Sequence, residues 1–211
     1  MTDILLAVSL WMAATAGVLD LRAKGRGLPT SVQVLTAACA LAITAVSLLQ
    51  LTIAPGLLPL LMRTTPRGVA AEPWRLATSL VVQDGGWSGF AFNIVGLLIV
   101  GSVAERLLGR LRWMATAGFS VAAAQAVALV WQPIGAGNSI LNFGLAGGLC
   151  AACLLHRPPG AGLLAAAVAG GCLVALLLAG DIHGAAGVTG ALVALLLAPA
   201  GDRRLTSDSR K

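Results

Sequence analysis

A serine opens one apolar stretch of this chain and a histidine opens another: Ser139 follows Gly137-Asn138, and His183 follows Gly180-Asp181-Ile182. Brought together, a hydroxyl and an imidazole are the nucleophile and general base of an acyl transfer. The head of a helix suits the serine, because first-turn N–H groups have no intrahelical partner and stand ready for a developing oxyanion. The bland alternative is that Ser139 only caps its helix. The turn 134–138, with Gly135 and Gly137, lets the chain enter that helix abruptly, and Gly137 and Asn138 are expected to serve the oxyanion or substrate there. Asn93, about two turns into its own apolar run with Gly89 and Gly96 on the same face, is either an oxyanion donor or an interhelical hydrogen bond. Such groups are expensive in a hydrocarbon environment and need a reason to be there.

That environment follows from composition. Of 211 residues, 58% are hydrophobic and 10% charged, and the mean hydropathy is +0.90, which makes the lipid bilayer the chain's solvent. The Leu/Ala/Gly runs are continuous rather than alternating, so the class is all-α, a polytopic transmembrane helical bundle. At about 20 residues per crossing, the expected spans are 4–21, 31–52, 86–103, 113–131, 138–155, 161–179 and 182–199. Residues 1–30 form an amino-terminal helix and basic loop, 31–199 the membrane core, and 200–211 a polar tail.

The formal charge of +6 reports topology, not nucleic-acid binding. Arg22, Lys24, Arg26, Arg106, Arg110, Arg112, Arg157, Arg203, Arg204, Arg210 and Lys211 fall in alternate loops, leaving only Arg63, Arg67 and Arg75 opposite. The positive-inside rule puts the eleven, and the carboxyl terminus, in the cytoplasm of a multi-pass protein of the plasma (inner) membrane. Residues 4–21 lack a basic leader and carry basic residues after the apolar run, so a retained helix is expected rather than a signal peptide.

The connection 53–85 is too proline-broken to span and too apolar for open water, which predicts a loop half-sunk in the outer leaflet. Trp74, Trp87, Trp113 and Trp131 are expected as headgroup anchors. His156, beside Arg157, is expected at the cytoplasmic interface. Cys39, Cys150, Cys153 and Cys172 lie in spans and read as packing residues, with no metal site or disulfide expected.

Helix periodicity places Ala186 and Gly190 on the His183 face, and Phe143, Ala146 and Gly147 on the Ser139 face. Two small-residue stripes of this kind let helix backbones approach closely. Asp181, two residues from His183, would point roughly 160° away on a helix, so it is expected only to cap, leaving a Ser-His dyad.

Trp74-Arg75, Asn93, Glu105-Arg106-Leu107-Leu108-Gly109, Gly137-Asn138-Ser139, and His183 with Gly190 resemble, in order and spacing over residues 31–199, the rhomboid intramembrane serine proteases. The resemblance implies a rhomboid-like six-helix core plus one amino-terminal helix, with Ser139 as nucleophile, His183 as base and Asn93 helping to bind the oxyanion. Phe143 would pack on the imidazole. The substrates implied are transmembrane proteins, with no cofactor. Two positions depart from the family: Ile140 stands where glycine usually follows the serine, and Gly89 where a histidine often stands. These departures motivate the alternative of a catalytically inactive relative that binds transmembrane segments. A small transporter or channel is the third class, disfavoured because the spans contain no continuous polar path.

Overall fold

The computed structural model describes residues 2–199; the tail expected at 200–211 lies outside the described residues. The chain is all-helical: α1 (Thr2–Ala23), α2 (Val34–Thr52), α3 (Leu57–Leu61), α4 (Pro66–Ala71), α5 (Arg75–Thr78), α6 (Gly86–Gly96), a π-helical stretch (Leu97–Gly101), α7 (Ser102–Leu108), α8 (Arg110–Trp131), α9 (Ser139–His156), α10 (Gly160–Leu178) and α11 (Ile182–Leu196). No strand occurs among the described residues. Six helices are long and apolar enough to cross a bilayer, counting α6 through α7 as one, which makes this a multi-pass membrane protein. The shorter α11, 15 residues or about 22 Å, occupies the seventh expected position.

Helix ends fall where the backbone chemistry demands. Gly109 (φ 79°) closes α7 and turns the chain directly into α8, Gly180 (φ 74°) separates α10 from α11, and Pro158-Pro159 bars α9 from continuing past Arg157. The turn at Gly109 swings the start of α8 inward. Trp113, expected at the membrane interface, is therefore buried, and its Nε1 donates to the Gly101 carbonyl at 3.1 Å, at the end of the π-helical stretch. Trp74, Trp87 and Trp131 are exposed.

Helix α9 is the axis of the bundle. Of its apolar window 78% is buried, against 33% for α10, because α1, α8, α10 and α11 all pack on it. Between helices in lipid there is no hydrophobic gain to drive contact, so close van der Waals fit must do it, and glycine permits that fit. A Cβ on Gly147 would lie 1.8 Å from the Gly187 carbonyl oxygen, and one on Gly190 would lie 1.9 Å from that of Gly144, so the backbones of α9 and α11 touch at two levels. Gly147→Leu and Gly190→Leu are accordingly expected to force the helices apart, losing about 1–3 kcal/mol or more. Thermal unfolding in detergent reads this; a variant with unchanged Tm and unchanged reactivity at Ser139 contradicts the contact.

The basic end holds two buried carboxylates. Glu105 of α7 accepts from the N–H groups of Leu35 (3.1 Å) and Thr36 (2.9 Å) and from the Thr36 hydroxyl (3.0 Å), capping α2, whose own N-cap residue offers no side-chain bond. Asp20 of α1 lies 2.6 Å from His156 Nδ1 of α9. The His156 side chain is 5% exposed, because α1 lies along α9 and covers it.

Candidate active site

The turn before α9 is held by the outer loop. Arg63 and Gly135 exchange backbone hydrogen bonds (3.0 and 3.3 Å), the Ala136 N–H donates to Asp84 Oδ2 at 2.8 Å, and the Gly137 N–H donates to the Ser79 carbonyl at 2.8 Å. Gly137 sits at φ 126°, a backbone open to glycine alone. The Cβ it lacks would meet Asn93 Nδ2 at 3.2 Å and Gln83 Oε1 at 3.3 Å. Asn138, fully buried, is the N-cap residue, and its carbonyl accepts from Leu141 and Asn142. Among the described residues, the Ser139 and Ile140 N–H groups have no hydrogen-bond partner. A nucleophile with two unpaired amides beside it is the arrangement an oxyanion needs.

His183 is the second residue of α11, and its Nε2 lies 2.8 Å from Ser139 Oγ. Phe143, one turn along α9 and 1% exposed, meets the imidazole edge-on with ring centroids 4.8 Å apart, as the shared helix face predicts. The contacts of Gly147 and Gly190 further down keep the two helix heads together.

Asp181 corrects the sequence reading. It is the N-cap of α11, but an N-cap residue is not helical: its φ of −93° and ψ of 132° are extended, so the angle of a helical wheel does not apply. One oxygen, Oδ1, accepts from the His183 backbone N–H at 2.8 Å and lies 2.6 Å from His183 Nδ1. The constellation is Ser139–His183–Asp181, three groups in line rather than a dyad. With its proton on Nδ1, the imidazole donates to the carboxylate and presents a bare Nε2 to the serine hydroxyl. Burial disfavours the Asp181 carboxylate, but the hydrogen bonds and charge of His183 outweigh it and hold the carboxyl below its ordinary value.

Ser139 and His183 open onto a cleft of about 330 Å³, lined also by Ile140, Ile182, Arg63 and Asp84. Arg63 spans the outer loop: Nη1 donates to Gln125 Oε1 at 2.6 Å and Nη2 to the Gln132 carbonyl at 2.8 Å. Burial lowers its pKa and nearby Asp84 opposes this. Arg75 pins the same loop through the carbonyls of Pro59 (2.8 Å) and Met62 (3.1 Å).

Asn93 lies behind the serine turn in a buried amide network. Its Nδ2 donates to Gln83 Oε1 at 2.9 Å, and its carbonyl accepts from Asn142 Nδ2 at 2.8 Å and Asn138 Nδ2 at 3.3 Å. Gln83 Nε2 in turn donates to Asn138 Oδ1 at 3.2 Å, and the Gln83 backbone pairs with the Gln50 amide. Sequence reading missed Gln83, Gln50 and Asp84. The one available signal was their polarity within an apolar loop and span. No protein-family model and no curated protein sequence matches the chain.

Proposed function

We propose that this protein is an intramembrane serine protease of the rhomboid type, cleaving peptide bonds of membrane-anchored proteins. The observation that carries the reading is the unbroken line Ser139 Oγ, His183 Nε2, His183 Nδ1, Asp181 Oδ1, with gaps of 2.8 and 2.6 Å, at the mouth of a cleft where two transmembrane helices begin. Ser139 Oγ attacks the carbonyl carbon while its proton passes to His183 Nε2. The same proton then goes to the departing amine as the C–N bond breaks. Water, deprotonated by His183, attacks the acyl-enzyme and frees Ser139. The oxyanion is received by the Ser139 and Ile140 N–H groups, with the Asn93 amide close behind Gly137. The charge distribution supports placing this end of the bundle at the outer face of the inner membrane. A carboxyl-terminal reporter is expected to be active only in the cytoplasm, and activity outside would reverse the topology.

The direct test is a fluorophosphonate probe on purified protein, which labels only an activated serine. Labelling at Ser139 supports the protease. Absence of labelling in well-folded protein favours the second reading, a non-cleaving binder of transmembrane segments. That reading is motivated by Ile140, which is 2% exposed beside the nucleophile, and by Gly89, which supplies no donor. Gly89 has open space where a side chain would start, so the Cβ of Gly89→His meets no neighbour. If it restores an oxyanion donor, it speeds cleavage by up to about 100-fold. Ile140→Gly is expected to widen the approach and also raise the rate. A protein in which both variants stay silent is a binder.

A further inference from the structure

The opposite end of α9, about 27 Å from Ser139, holds a second and chemically different concavity. A cleft of about 390 Å³ is lined by Lys24, Arg26, Arg106, Arg112 and His156 around the Gly109 turn. These side chains come from separate places in the chain: the segment ending α1 and beginning its loop, α7, the first turn of α8, and the last residue of α9. Among the described residues, no carboxylate lines the cleft. Of the described acids beside it, Asp20 pairs with two of the lining groups, His156 (2.6 Å) and Lys24 (3.6 Å), and Glu105 is taken up by the head of α2 and by Arg110 at 3.8 Å. Arg26 and Arg106 are exposed, and their guanidinium groups make no hydrogen bond or ion pair among the described residues. Arg112 is held at the rim by donation from Nη2 to the Ala194 carbonyl at 3.3 Å.

Topology alone accounts for basic residues in these loops. It does not account for their convergence on one hollow in which the Arg26 and Arg106 side chains have no carboxylate partner among the described residues. Guanidinium forks match phosphate oxygens, and basic hollows between helix ends lie at the depth of lipid headgroups. We propose that this cleft binds the phosphate of an anionic phospholipid headgroup, with Arg26 and Arg106 as the principal ligands.

The test uses the full chain in neutral detergent, titrated separately with phosphatidylglycerol, phosphatidylcholine and inorganic phosphate while Tm is followed. The expected result is a saturable rise with phosphatidylglycerol, little with phosphatidylcholine, and none with millimolar phosphate. Arg26→Gln with Arg106→Gln should weaken the phosphatidylglycerol response roughly thirtyfold, and either exchange alone about fivefold, at one surface cation each. The single variants serve if the double one fails to fold. Equal responses to phosphatidylglycerol in wild type and variants, or no response in wild type, overturn the proposal. A full response to inorganic phosphate overturns the lipid as the source while leaving a phosphate site.

Discussion

Ser139→Ala and His183→Ala are each expected to reduce cleavage of a membrane substrate by on the order of 10⁴- to 10⁶-fold, and the double variant should be scarcely worse than either. The reason is geometric. Nε2 lies 2.8 Å from Oγ, so the hydroxyl that would attack and the base that would take its proton act as one unit. Ser139 is half-buried and its hydroxyl links α9 to α11 through the hydrogen bond with His183, so Ser139→Ala should cost no more than about 1 kcal/mol of stability. Fluorophosphonate labelling should vanish in both single variants. A Ser139→Ala protein that cleaves as well as wild type ends the serine-protease reading.

Asp181→Asn is expected to slow the same reaction by about 10³- to 10⁴-fold with little loss of fold. Asparagine keeps an oxygen for the His183 backbone N–H, so the cap on α11 survives. It carries no charge, so it neither holds the Nδ1 proton as firmly nor stabilises the imidazolium that forms during attack. A purely capping aspartate predicts the opposite: Asn harmless, and Ala costing about 1 kcal/mol of stability. The pH dependence of stability separates them further. The Asp181 carboxyl is held below its ordinary value in the fold, so its contribution is complete above the unfolded-state value of about 4 and is lost as pH falls through the folded one. The stability difference between wild type and Asp181→Asn should therefore close under acid conditions below about pH 4. Unchanged activity in Asp181→Asn removes Asp181 from the site.

Most of the architecture was legible without coordinates, because in a bilayer every buried backbone group must find its partner within the helix. Apolar run length alone then locates the spans. The positions of α1, α2 and α6 through α11 follow from it, with ends shifted by a few residues. Face periodicity likewise anticipated Phe143 against His183 and the glycines between α9 and α11, since residues three and four apart share a side whatever the rest of the chain does.

What periodicity could not reach were the places where the helix stops. Asp181 was misjudged because a rule for helical residues was applied one residue outside the helix, where an extended backbone turns the carboxylate back onto Nδ1. Trp113 was misplaced because the positive φ of Gly109 redirects the following helix, and the pairing of His156 with Asp20 was out of reach because it joins α9 to α1. The amides of Gln83 and Gln50 and the carboxylate of Asp84 meet Asn93, Asn138 and the serine turn from distant parts of the chain, so no local pattern connects them. From the sequence alone came the solvent, the helices and the two reactive side chains. Only the tertiary structure decided the 2.8 and 2.6 Å that join those side chains to each other and to Asp181, because hydrogen-bond geometry depends on how helix ends meet, and the period of a helix says nothing about its ends.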